Sequence, residues 1–208
     1  DEAVMLRRSY QGIGKRGIGV GYPNQVNLAF DAEQMRLAMI WKGKFADPGG
    51  VWRSQGHGSV RPLGTNLIRF APGPDLDDAV QPWRVEDGRP RLHQFKGYDL
   101  DSLQRPILKY RFDTIDVEDY SIDVKDEASG AVLIRRTLTF TSQKVRPDVV
   151  FRAATGPSIV SEGHGNFLVG KSLRVRIDAK HQGQIVKAAE GQQLRIPLDI
   201  GPGKSTLV

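Results

Sequence analysis

Two histidines in this chain stand between glycines, in Gly56-His57-Gly58 and Gly163-His164-Gly165, and Glu162 adjoins the second. A glycine-flanked imidazole sits on backbone free to approach a metal, and two histidines with one glutamate would make a three-ligand site. The spacing is long-range and no HExxH-type template accompanies it, so an ordinary turn histidine competes with the metal reading at both places. Asp31 and Glu33 form a second candidate, a carboxylate pair. Hydrolases that use two carboxylates hold them about 5–10 Å apart across a cleft, on separate strands. Neighbouring turn carboxylates more often accept backbone N–H bonds, and that structural reading is the stronger for Asp31. Trp52, Trp83 and Tyr98, with Trp41 and Tyr22, offer a third chemistry, aromatic platforms that stack on sugar rings. Trp41 falls in phase with Leu37 and Met39 and reads as core, whereas Trp52 and Trp83 lie in a Gly/Pro-rich stretch and are freer to face solvent. The candidates are therefore Trp52, Trp83, Tyr98 and Asp31 for a ligand and His57, His164 and Glu162 for a metal, with no catalytic set. Gly17-Ile18-Gly19-Val20-Gly21 lacks the strand-before, helix-after setting of a dinucleotide loop, and no GxSxG elbow occurs.

The elements that must position these residues are strands. Val26, Leu28 and Phe30 alternate with Asn27 and Ala29; Arg36 to Trp41 return; and Asp31 to Gln34 make a tight corner, so residues 17–47 read as a hairpin at the centre of a sheet. From Pro48 to Pro90, Gly/Pro pairs recur every few residues, which implies a long surface excursion anchored by Trp52, Leu63, Leu67, Ile68, Phe70 and Trp83. The clearest strands follow: Leu92 to Tyr98, Pro106 to Phe112, Ile115 to Val124 and Val132 to Phe140, with Lys125 to Gly130 as a hairpin turn. Shorter strands fill the last third. No window of a dozen residues carries the i, i+3, i+4, i+7 pattern of an amphipathic helix. The expectation is an all-β, antiparallel β-sandwich over residues 1–208, a single domain whose larger form would be a two-sheet supersandwich.

Composition narrows the function classes. A chain of 208 residues, 39% hydrophobic and 26% charged, buries a sizeable core. Zero cysteines excludes disulfides, thiolate metal sites and a cysteine nucleophile. The net charge of +6 is spread among acidic patches with no basic, aromatic-studded stripe, which argues against nucleic acid as a partner. No apolar run approaches the roughly 18 residues of a membrane span. The opening DEAVMLRRSY does not begin with Met and lacks a signal-peptide design. The closing Ser205-Thr206-Leu207-Val208 stops within a strand-like run, and the expectation is a piece of a longer multidomain protein.

The run GIGVGYPNQVNLAFDAEQMRLAMIWKGKFADPGGVW, followed by Gly56-His57-Gly58, Pro62-Leu63-Gly64 and Phe95-Lys96-Gly97-Tyr98-Asp99-Leu100-Asp101, resembles a module of large secreted proteins from Planctomycetes and their relatives. There the module is joined to c-type cytochrome domains and often to quinoprotein-dehydrogenase-like propellers. The resemblance covers most of residues 10 to 140 and hands over no catalytic residue. It implies a periplasmic or extracellular home, a part in an electron-transfer protein, and a cytochrome c or dehydrogenase domain of the same parent as partner. CxxCH is absent, so no covalent haem belongs to this chain and haem is expected in a neighbouring domain or chain. The expected function is a non-catalytic accessory module for docking or substrate recognition. The alternative is a carbohydrate-binding or carbohydrate-active domain with Trp52, Trp83 and Tyr98 as an aromatic platform and Asp31, the loop histidines His57 and His164, or Glu162 as polar groups.

Overall fold

The structure, a computed structural model, describes residues 2–50, 58–80, 83, 85–86, 89–90, 92–127 and 129–208. The chain is all-β and of sandwich type: the described residues form 21 strands in six sheets, every paired strand antiparallel to its neighbour.

The first sheet runs β1 (Val4–Arg8), β2 (Gly17–Gly21), β3 (Val26–Asp31), β4 (Arg36–Lys42) and β7 (Thr65–Arg69), in that order. β2 and β3 are buried at every residue, because both faces of this sheet are covered. One face carries Val20, Val26 and Leu28 and packs on Val132 and Ile134 of the second sheet. The other carries Ala29, Met39 and Trp41 beneath Tyr10, Phe45 and Val60. The alternate glycines of GIGVG make that second layer possible. A Cβ at Gly19 would overlap the Tyr10 hydroxyl, and one at Gly21 would lie 2.8 Å from the Phe45 ring. Phe45 stacks in turn on Trp41, ring centroids 6.0 Å apart, and the Trp41 indole N–H donates to the Phe45 carbonyl at 2.8 Å. A β-bulge shifts the β3–β4 register between Ala29 and Phe30. The alternation expected of Leu37, Met39 and Trp41 is therefore broken: Leu37 packs with Leu28 on the sandwich side, while Met39 and Trp41 point to the Tyr10 side. Trp41 is buried as expected, on a face the period alone does not identify.

The second sheet is the meander legible in the sequence, β11 (His93–Leu100), β12 (Pro106–Phe112), β13 (Ile115–Lys125) and β14 (Val132–Ser142), closed by β21 (Gly203–Leu207). Its inner face, with Leu108, Tyr110, Phe112, Ile115, Val117, Leu138 and Phe140, meets Ile18 and Phe30 of the first sheet. Phe30 lies 6.0 Å from Tyr110 and 6.3 Å from Phe95 between ring centroids. The third sheet, β19 (Gln184–Lys187), β20 (Gln192–Ile200), β15 (Arg146–Gly156) and β8 (Leu76–Asp78), adds Phe151, Leu194, Ile196 and Leu198 to the same core. A three-stranded sheet of β16 (Ile159–Gly163), β17 (Asn166–Val169) and β18 (Leu173–Arg176) contributes Ile159, Phe167 and Val169. Two short hairpins, β5 (Ala46–Asp47) with β6 (Arg61–Pro62) and β9 (Val85–Glu86) with β10 (Arg89–Pro90), complete the set. One contiguous apolar cluster thus spans four sheets. The Gly/Pro-rich stretch is not surface throughout, since it supplies β7 and β8 and its residues 73–77 are buried.

The glycine face is testable. Gly19→Ala should lower unfolding free energy by about 1–3 kcal/mol in urea titration, the usual cost of overpacking. Gly201→Ala, where an added Cβ meets nothing within 4 Å, should stay within about 0.5 kcal/mol of the parent.

Candidate functional site

Strand period places charge inside the sandwich. On β13, Asp119 and Ser121 continue the inward phase of Ile115 and Val117, and on β14 Arg136 shares its face with Leu138 and Phe140. A buried charge needs a partner. Arg136 donates from Nε to Asp119 Oδ1 at 2.9 Å and from Nη2 to Asp119 Oδ2 at 2.5 Å, while its Nη1 lies 2.8 Å from Asp75 Oδ2. Its guanidinium also lies 5.3 Å from the centre of the Phe151 ring in the third sheet.

Asp75 is the residue where three sheets meet. Its carboxylate accepts the Leu37 N–H of the first sheet at 2.7 Å and the Arg136 guanidinium of the second. Its backbone N–H donates to Met35 in the β3–β4 corner, and its carbonyl accepts the Arg152 N–H of the third sheet at 2.7 Å. The loop leading to it is bonded almost group by group. Arg36 Nη1 donates to the Phe70 carbonyl at 3.1 Å, and Arg152 Nη2 donates to the carbonyls of Ala71 and Gly73. The Ala71 N–H reaches Thr155 Oγ1 at 2.8 Å, the Gly73 N–H reaches Gln34 Oε1 at 2.9 Å, and the Trp83 indole N–H reaches the Pro74 carbonyl at 2.5 Å. Pro74 has no N–H to satisfy, which suits it to the buried part of the loop.

The electrostatics follow from burial. Desolvation raises the Asp75 carboxyl pKa, against the charges of Arg136 and Arg152. Desolvation would lower Arg136, but Asp119 and Asp75 outweigh it and hold the guanidinium more firmly protonated than usual. Arg152 is pushed down to about 10 by burial, with Arg36 and Arg195 adding like-charge repulsion. Two cavities of about 10 Å³ flank Arg136, one beside Asp119 and Ser121 and one beside Asp75, Arg152 and Thr155. Each has room for about one water molecule. This polar centre is therefore a structural node, and its charges are addressed to one another.

The residues singled out by sequence are distributed around it. Asp31 is buried, accepts the N–H groups of Glu33 and Gln34 at 3.0 and 3.2 Å, and faces Arg36 at 3.3 Å, the turn role expected of it. Glu162 is paired with Arg174 at 3.1 Å on the three-stranded sheet. His164 sits in the β16–β17 turn at φ +51°, with the Asn166 amide donating to its carbonyl. Among the described residues no cluster of three or more His, Cys, Asp or Glu is placed to hold a metal ion. His57 and Trp52 lie outside the described residues. Tyr98 is half-buried on β11, with the Arg7 guanidinium 5.5 Å from its ring centre. Trp83 meets different partners: its backbone N–H donates to Asp77 Oδ2 at 2.6 Å, and the guanidiniums of Arg152 and Arg195 lie 5.0 and 4.5 Å from its ring. Arg152 and Arg195 stand directly opposite each other on β15 and β20.

Sequence reasoning missed Asp75, Asp119, Arg136, Arg152 and Arg195. For Asp119 and Arg136 a signal existed, a charge in each apolar phase; for Asp75, Arg152 and Arg195 there was none. Comparison with protein-family models, with curated proteins and with solved structures finds no match to this chain.

Arg136→Met removes the cation that two buried carboxylates share and should cost about 3–5 kcal/mol in equilibrium unfolding. Arg174→Gln, which breaks the exposed pair with Glu162, should cost no more than about 1 kcal/mol.

Proposed function

We propose that this chain is a non-catalytic accessory module, a β-sandwich that recognises or docks a partner within an extracytoplasmic, cytochrome-associated protein. The observation that carries the reading is how the buried carboxylates are engaged. Asp31, Asp75 and Asp119 each face an arginine, Asp31 and Asp75 also accept backbone N–H groups, and the fourth buried carboxylate among the described residues, Asp77, accepts the N–H groups of Asp78 and Trp83. A general acid or base must instead reach a substrate proton at about 2.6–3.2 Å. Polar side chains are presented outward on well-paired strands, which suits a rigid recognition surface. The resemblance of the GVGYP to RLAMIWKG run supplies the setting: a periplasmic or extracellular location, haem in a neighbouring domain, and the cytochrome or dehydrogenase part of the same parent as partner.

One observation favours carbohydrate recognition as a second reading. On the outer face of the third sheet, Arg195 lies beneath Trp83, Gln184 stands directly opposite Arg195, and Arg195 Nε donates to Gln193 at 2.9 Å. Planar amides, a guanidinium and an indole are the side chains that hydrogen-bond and stack on sugars.

Incubated alone with neutral and acidic polysaccharides, the purified chain should release no reducing ends, while mixing it with the haem-bearing remainder of its parent should give a complex in sedimentation velocity read at the haem absorbance. Reducing ends appearing in proportion to added protein would overturn the non-catalytic reading. A haem species that sediments unchanged would overturn the docking one.

A further inference from the structure

We propose that the outer face of the third sheet, centred on Arg195 and Trp83, binds an oxyanion, a carboxylate or sulfate group, carried on a polysaccharide. The inference rests on the recognition reading above and names its ligand class.

It starts from a mismatch in the sheet. Arg152 and Arg195 occupy opposed positions on neighbouring strands, and like charges directly across an antiparallel pair destabilise it. Both guanidiniums converge on one neutral ring, that of Trp83. Arg152 turns inward and gives its Nη2 to the carbonyls of Ala71 and Gly73. Arg195 remains half-exposed, with Nε on Gln193. Among the described residues no carboxylate lies within ion-pair distance of it. The nearby acids are engaged elsewhere: Asp75 with Leu37 and Arg136, and Asp77 with the N–H groups of Asp78 and Trp83. Asp199 is four residues along β20, about 13 Å away at strand rise.

Burial accordingly lowers the pKa of both arginines. An oxyanion on Arg195 would relieve the repulsion with Arg152, and the guanidinium fork matches a carboxylate or sulfate through two parallel N–H bonds.

The surroundings favour a sugar as the carrier. Gln184 and Gln193 flank Arg195 on the same face and can each donate to and accept from ring hydroxyls. Trp83 stands over the arginine as a flat apolar wall. That wall is fixed by the indole N–H on Pro74, by the backbone N–H on Asp77, and at φ +62°, a conformation that side-chain-bearing residues adopt only when held there. Tightly held planar groups around a cation that has no ion pair among the described residues make a preorganised site.

The test is affinity electrophoresis and calorimetry of the chain with polygalacturonate, dextran sulfate, neutral dextran and poly-glutamate at physiological salt. The expected result is binding to polygalacturonate or dextran sulfate, the better of the two showing whether the group is carboxylate or sulfate, with neither neutral dextran nor poly-glutamate bound comparably. Arg195→Gln should weaken that binding about tenfold or more, the loss expected of a charged hydrogen-bonding partner. Gln184→Ala should weaken it less, and Arg135→Gln, on the exposed face of another sheet, should leave it unchanged. Circular dichroism of Arg195→Gln checks that the variant is folded. Equal binding by Arg195→Gln and the parent, or equal binding of neutral dextran, would overturn the site, and stronger binding of poly-glutamate would assign it to an acidic peptide instead. Failure of every polymer, with the chain still joining its haem-bearing parent, would remove this ligand class and leave the docking reading standing.

Discussion

The contact on which the structure depends is the ion pair between Arg136 and two carboxylates, Asp119 beside it in its own sheet and Asp75 from the loop before β8. Sandwiches are ordinarily held by apolar faces alone, and replacing a buried ion pair with apolar side chains is often neutral or stabilising. The value of this pair is positional. Asp75 bonds to Leu37 in the first sheet, Arg136 in the second and Arg152 in the third, so three twisted surfaces that could slide on a greasy core are pinned at one point.

The same logic accounts for the layer outside the first sheet. A strand buried on both faces cannot alternate polar with apolar residues, and β2 alternates apolar residues with glycines instead. The glycines let Tyr10 and Phe45 lie flat on the strand, and Phe45 then orders Trp41. The hairpin thereby acquires a second small core of Tyr10, Ala29, Met39, Trp41 and Val60. At the β3–β4 corner of the same hairpin, the loop that delivers Asp75 also delivers the Pro74 carbonyl to Trp83, which sets the indole over Arg152 and Arg195. The interior node and the outer recognition face are thus two sides of one loop.

Much of the framework was legible in the sequence, for a physical reason. β12, β13 and β14 belong to a sheet with one solvated face, so their residues alternate and their ends fall close to where the alternation stops. The first hairpin and its Asp31 corner were legible through turn chemistry. The split of Leu37 from Met39 and Trp41 was not, because a bulge leaves no mark in a strand's composition. Nor was the buried course of residues 73–77. Gly-Pro-rich chain reads as surface unless its backbone partners are known, and those partners, Thr155, Arg152, Arg36 and Gln34, stand 34 to 84 residues away. The site residues divide the same way. Asp31 could be assigned from its neighbours in sequence, Arg136 from its phase, and Arg195 only once β15, β20 and Trp83 were in place together.

Native-state hydrogen exchange at the amides of Leu37, Asp75 and Arg152 bears most directly on the claim that one residue ties three sheets together. These N–H groups are bonded to the Asp75 carboxylate, the Met35 carbonyl and the Asp75 carbonyl respectively. If Asp75 is the tie, all three exchange only through global unfolding, with one common free energy that denaturant lowers in parallel. Exchange of all three through a small local opening, while the amides of β13 and β14 stay protected to the global limit, would contradict the account and reduce the loop to a cover over sheets that hold themselves together.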